Sequence, residues 1–234
     1  MWKKRKVSVV FPAYNEEKNI ARAIKDFRST QFADEIVIID NNSTDETADI
    51  ARKHGARVVQ ELRQGFGYAV RRALRAARGE YIILCEPDGT FSGSDLLKFL
   101  SYADDFDLVL GTRTTRELIW DAANMGWFLR IGNIVVAKMI EFLFGGPSLS
   151  DCGCTYRLIR RDALKKIQPF FTVGGSHFLP EMVILTLGAG FRVVEIPVNY
   201  KARIGISKIT GSRWKAFLVG LQMILLILRY RLSF

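Results

Sequence analysis

Two carboxylates bracketing a proline, Glu86-Pro87-Asp88, with Gly89 after them, directly follow the apolar run Tyr81-Ile82-Ile83-Leu84-Cys85. A buried parallel strand that ends in two acids sets hard oxygen ligands at a sheet's carboxyl edge, where open α/β folds take their ligands. Such oxygens suit Mg²⁺ or Mn²⁺, and either ion can clamp a diphosphate. Two more acid-bearing segments, Pro12-Ala13-Tyr14-Asn15-Glu16 and Ile39-Asp40, also close strand-like runs. Taken singly, an acid after a strand reads as a cap on the next helix. Strands one, two and four of a parallel sheet point the same way, so jointly the three can converge on one ligand.

The elements that must position these acids alternate in the order of parallel-sheet units. Strands are expected at 7–11, 35–40, 57–61, 81–85 and 107–111, with helices over 16–28, 45–54 and from Gly65-Phe66-Gly67 to Arg78. Asn41 to Asp45 is a turn able to cap the second helix, and His54 beside Gly55 ends it, where a cation complements the dipole. Further strands are expected at 156–160 and 191–200; Pro197 assigns the latter to an edge or a strand end.

The second half is more apolar. Between Met125 and Phe144, Arg130, Asn133, Lys138 and Glu141 share one sector of a helix and leave a broad apolar face. Four polar groups argue against a spanning helix and for the core or a membrane surface. The run from Trp214 to Leu228 is apolar apart from Lys215 and Gln222, and Arg229 and Arg231 follow. Its length, about 22 Å against a hydrocarbon core about 30 Å thick, fits an interfacial anchor better than a span.

The chain has 234 residues and a net charge of +10, which favours an anionic partner. No finger, helix-turn-helix or aromatic-basic strand motif supports nucleic acid, which leaves a phospholipid surface or a phosphorylated substrate. The three cysteines, Cys85, Cys152 and Cys154, are an odd number with one in a buried strand, so a disulfide framework is not expected. The spacing of Cys152-Gly153-Cys154 does not match zinc or thioredoxin pairs and reads as small residues in a turn. No signal-peptide core follows the basic start. The expected place is the cytoplasmic side, peripherally on the membrane.

The segments at 12–16, 38–45 (Ile-Ile-Asp-Asn-Asn-Ser-Thr-Asp), Gly65-Phe66-Gly67, Ala77 to Glu80 and Glu86-Pro87-Asp88 resemble the family-2 glycosyltransferases of GT-A fold. Gly111-Thr112-Arg113, the run Asp151 to Arg157, Glu181, Glu195 to Val198 and Arg203 to Lys208 are similar to the branch of dolichyl- and polyprenyl-phosphate mannosyl- and glucosyltransferases. The resemblance implies an α/β domain over 1–210, with a mostly parallel, Rossmann-like sheet flanked by helices, and a C-terminal interfacial helix over 211–234. It also implies that Pro12, Tyr14, Glu16 and Asp40 hold the nucleotide of a GDP-mannose or UDP-glucose type donor, and that Glu86 and Asp88 hold the metal. Arg203 and Lys208 would close over the diphosphate or sugar. Arg113, with Arg130 as a second choice, would hold the phosphate of a polyprenyl lipid, and Arg157 is carried over as catalytic with Asp88 and Arg113. Three positions depart from the family pattern: Glu86 in place of aspartate, Thr90 in place of glutamine, and Cys154-Thr155-Tyr156 in place of Ser-Gly-Phe.

A hydroxyl acceptor needs a general base, whereas a phosphate is already anionic and attacks without one. The resemblance implies a Glu-Asp type pair late in the domain for hydroxyl acceptors; the comparable stretch here, from Gly174 to Glu181, offers His177 and Glu181 but no such pair, which favours the phosphate, held by arginine forks. The expectation is an inverting hexosyl transfer to a polyprenyl phosphate. The alternatives are a transferase for a glycan or soluble hydroxyl, and a catalytically silent nucleotide-sugar-binding membrane subunit.

Overall fold

In the computed structural model, residues 1–120, 126–205 and 213–233 are described. The strands are β1 (Val7–Ala13), β2 (Glu35–Asp40), β3 (Arg57–Gln60), β4 (Tyr81–Leu84), β5 (Leu108–Thr112), β6 (Arg157–Arg160) and β7 (Val193–Pro197). They form one sheet in the order β3-β2-β1-β4-β6-β5-β7. All neighbours are parallel except β6, which runs antiparallel to both β4 and β5. Every residue of β1 and β4 is buried, as expected of strands covered on both faces.

Helices α1 (Ile20–Ser29), α2 (Thr47–Lys53) and α4 (Leu96–Tyr102) pack one face of the sheet; there Ile20, Ile24 and Phe27 of α1 meet Phe11, Phe99 and Tyr156. Helices α3 (Phe66–Ala76), α5 (Trp127–Phe144), α6 (Arg161–Ile167), α7 (Phe178–Gly188) and α8 (Arg213–Ser233) pack the other. The first helix begins four residues later than expected, because the Glu16 carbonyl first accepts the Asn19 and Ile20 N–H groups in a separate turn. The last strand is shorter than the run of apolar residues around it and ends at Pro197 on the sheet's outer edge, where no N–H is needed.

The reversal of β6 matters most for the site. It places Arg157 between Leu84 of β4 and Leu110 of β5, so the chain from Asp151 to Tyr156 enters the sheet at the same edge where the other strands leave it.

The apolar face of α5 is divided: Val136, Ala137 and Ile140 are buried, while Ile131, Val135 and Phe142 are exposed. The last helix extends past both ends of the apolar run Trp214 to Leu228 and lies within the expected 211–234. Its 21 residues reach about 32 Å, and Ala216–Ser233 is apolar enough to cross a membrane by length and composition. It also docks: Met223, Leu226 and Ile227 join the core formed with α5 and α7, leaving Trp214, Phe217, Leu221, Leu225 and Leu228 outside. The C-terminal helix is therefore packed onto the domain from which the sequence divides it.

Candidate active site

The ends of β1 and β2 lie side by side, with Ala13 opposite Asp40. Short polar side chains lock the two loops that follow. Asn15, in the left-handed region at φ 55°, donates its N–H to Ser43 Oγ and accepts the Thr44 N–H at 2.8 Å, and the Glu16 N–H reaches Thr47 Oγ1 at 2.7 Å. Asparagine tolerates this backbone region better than other side chains. Asp40 Oδ1 accepts the Ser43 N–H, and Asn41 bonds the carbonyls of Glu61 and Arg63 and the N–H of Gly65. Pro12, Tyr14, Glu16 and Asp40 thus share one edge; Pro12 and Asp40 are buried, Tyr14 and Glu16 half-buried. Gly67 approaches the 173–175 backbone so closely that a Cβ there would stand 2.7 Å from the Gly174 carbonyl carbon. That contact holds the start of α3 beside the same edge.

Beyond β4 the chain turns at Gly89, φ 82°, and buries Asp88 to 1% exposure. Asp88 Oδ1 accepts from the Thr90 N–H and hydroxyl at 3.0 and 2.5 Å. Among the described residues its Oδ2 has no hydrogen bond, and the Arg203 guanidinium lies 3.3 Å away. The same guanidinium lies 3.7 Å from Glu16 Oε1. Burial and the neighbouring Asp88 charge push Glu86 up to about 7, although Arg203 and Arg113 pull it down and Thr155 donates to its Oε2 at 3.2 Å. All three departures from the family pattern therefore meet at this loop: Thr155 bonds Glu86, and Thr90 bonds Asp88.

A strap formed by residues 199–204 lies across the loop. The Lys201 N–H donates to the Thr90 carbonyl and the Ile204 N–H to the Asp88 carbonyl, while Asn199 bonds both Asp95 oxygens at 2.7 Å.

At the end of β5, Arg113 makes a bidentate pair with buried Asp151, Nε–Oδ2 2.7 Å and Nη2–Oδ1 2.8 Å. Its guanidinium lies over the Tyr200 ring at 5.4 Å. Burial alone would lower its pKa; Asp151 overrides that and holds it well above the ordinary range. Asp151 is itself placed by Glu195 of β7, which accepts the Asp151 N–H through Oε1 and the Ser150 N–H and hydroxyl through Oε2. Burial raises the Glu195 carboxyl. Arg130 donates to the carbonyl of Thr114, one residue beyond Arg113. The site edge thus collects the expected nucleotide residues together with Glu86, Asp88, Arg113, Arg130 and Arg203. Lys208 lies outside the described residues.

Arg157 is not at the site surface. It is 0% exposed, and its three nitrogens donate to the carbonyls of Cys154, Leu179 and Cys152 at 2.6 to 2.8 Å. Its expected catalytic contact is corrected to a structural one: it holds the loop that carries Asp151 against α7, and burial lowers its pKa. Glu181 is likewise fully buried, accepting from Thr172, Val173 and the Tyr230 hydroxyl of α8. His177 precedes α7, and burial lowers its pKa. Sequence reasoning missed Asp151 and Glu195 as the supports of Arg113, although both lay inside quoted motifs, and missed Asn41 as more than a turn residue. The cysteines are free and buried, as expected of small turn and strand residues.

Among the described residues, no group of three or more His, Cys, Asp and Glu could hold a metal unaided. Asp88 Oδ2, buried without a hydrogen bond, and the Glu86 carboxyl beside it nevertheless fit a divalent ion whose other ligands come from substrate phosphates.

A seven-stranded, mostly parallel sheet with one reversed strand, flanked by helices on both faces, defines a transferase fold of the GT-A class. The model of the glycosyl transferase family 2 matches residues 8–168, and the chain belongs to that family. It is similar to the dolichyl-phosphate hexose transferase of Haloferax volcanii, 34% identical over 87% of this chain and 86% of that one. It also resembles the low-salt glycan biosynthesis hexosyltransferase Agl6 of the same organism, 31% identical over 85% of this chain but 48% of that longer protein. Among solved structures, glucosyl-3-phosphoglycerate synthase from Mycobacterium tuberculosis, in complex with Mn²⁺, UDP and glucosyl-3-phosphoglycerate, shares the fold. Its TM-score is 0.72 at 20% identity, covering 97% of this chain and 80% of that one.

Proposed function

We propose that this glycosyltransferase moves a hexose from a nucleotide diphosphate sugar to a polyprenyl or dolichyl phosphate, with inversion, at the cytoplasmic membrane face. The observation that carries the proposal is Arg113, fixed by Asp151 at the edge that bears Glu86 and Asp88, and near enough for its charge to pull Glu86 down. The likeness to a dolichyl-phosphate hexose transferase supports the same acceptor.

In this reading Pro12, Tyr14, Glu16 and Asp40 seat the nucleotide, and Glu86 and Asp88 hold Mg²⁺ or Mn²⁺. The ion would neutralise charge on the diphosphate leaving group. Arg203 adds a second cation there, and Arg113 orients the acceptor phosphate, with Arg130 beside it. A phosphate oxygen forms the bond to the anomeric carbon as the carbon's bond to the diphosphate breaks. No base is required, in keeping with a Glu181 carboxylate whose oxygens are already occupied by protein donors. The exposed apolar residues of α5 and α8 would meet the lipid and the membrane surface.

The direct test incubates the purified chain with a short polyprenyl phosphate and labelled UDP-glucose or GDP-mannose, with and without Mn²⁺. Label in a lipid-phosphate hexose is the expected result. Transfer only to a sugar hydroxyl, or nucleotide binding without turnover, would overturn the proposal.

A further inference from the structure

A cavity of about 300 Å³ between α1 and the acid loop shares only Glu86 with the residues assigned to the transfer above. Its lining includes Asn19, Arg22, Lys25, Asp26, Glu86 and Lys201. Arg22 and Lys25, three apart on α1, are both exposed and share a helix face. Neither has an ion pair or hydrogen bond among the described residues. Lys201 adds a third cation, its ammonium 4.7 Å over the Trp120 ring.

Asn19 is of a different character. It is 5% exposed, and its Nδ2 donates to Glu16 Oε2 at 2.7 Å and to the Ile204 carbonyl at 2.9 Å, which fixes the orientation of the amide. Its Oδ1 is left buried with no hydrogen-bond partner. An acceptor stranded in this way costs about 1–3 kcal/mol and calls for a donor. Asp26, whose Oδ2 holds the Gly93 N–H at 2.7 Å, and Glu86 contribute further acceptors.

The lining thus combines three cations with the acceptor oxygens of Asn19 and Asp26. An inorganic anion would leave the acceptors unmet, and a neutral polyol would leave the cations unmet. The volume suits a small ligand. We propose that this cavity binds a small phosphorylated polyol, its phosphate on Arg22, Lys25 and Lys201 and a hydroxyl donating to Asn19 Oδ1. A soluble molecule fits better than a lipid headgroup, because α1 packs the sheet face opposite α5 and α8.

The test titrates glycerol 1-phosphate into the full chain by calorimetry, with inorganic phosphate and glycerol as comparisons, and needs no transfer assay. The expected result is saturable binding at least tenfold tighter than inorganic phosphate. It should persist in Arg113→Gln and in the presence of UDP and Mn²⁺, and weaken at least tenfold in Arg22→Gln/Lys25→Gln. Those two side chains support nothing else, so the double variant should keep the wild-type melting temperature. Absence of saturable binding, or binding unchanged in the double variant, would overturn the proposal. So would loss of binding in Arg113→Gln, which would put the ligand at the transfer site. Phosphatidylglycerol vesicles provide the remaining arm: vesicle binding that the double variant abolishes would assign the cations to a lipid headgroup instead.

Discussion

The two halves of the site edge are built by different means. On the side of β1, β2 and β4, functional groups sit in or directly after their strands and are held by several short side chains, Asp40 to Ser43 and Asp88 to Thr90 within their own loops and Asn15 to Ser43 and Thr44 across two adjacent loops. On the side of β5, β6 and β7, a single cation, Arg113, depends on Asp151, and Asp151 on Glu195, groups 38 and 44 residues apart in sequence. The first construction tolerates loss of any one tie. The second is a series in which each link fixes the next.

The sharpest way to break this comparison is at Asp88. Asp88→Ala should lower kcat at least a hundredfold, about 3 kcal/mol of transition-state stabilisation, because charge neutralisation at the leaving group is the largest single contribution expected of the site. Wild-type turnover with either ion would remove Asp88 from the metal role. In stability the largest effect is expected of Asp151→Ala, which leaves Arg113 half-buried without its partner. Loss of one member of such a pair costs about 3–5 kcal/mol, read as a lowered urea midpoint. Asn15→Ala should cost only about 1 kcal/mol, and equal losses in the two variants would erase the distinction between the halves.

Arg157→Leu strands three carbonyls, and a loss of about 3 kcal/mol is expected, with kcat per folded molecule within a few fold of wild type. A specific collapse of kcat at unchanged stability would return Arg157 to the catalytic set. The smallest effect is expected where family departures touch. A double-mutant cycle of Glu86→Asp and Thr155→Gly should show a coupling of about 1 kcal/mol in stability, and additivity would mean that the two changes are independent.

The same division governs what the sequence discloses. Apolar runs ending in Asp40 and in Glu86-Pro87-Asp88 announce both the strand and its functional end, because a parallel strand's last residue is also its ligand-facing residue. Nothing in Arg157 to Arg160 states that this strand is inserted backwards between β4 and β5, since alternation and apolar content are the same in either direction. That insertion decides that Asp151 reaches Arg113 and that Arg157 turns inward. Burial of an arginine by carbonyls from Cys152, Cys154 and Leu179 is likewise a property of three distant backbones and not of its neighbours in sequence.

The short join between strap and last helix also acts as a ruler. Ile204 is bonded to the Asp88 carbonyl, and α8 begins at Arg213, so the chain from Gly205 to Arg213 can reach no farther than about 30 Å. If a bilayer takes up Trp214 and Phe217, that covalent limit keeps the acid loop within the same distance of the lipid surface.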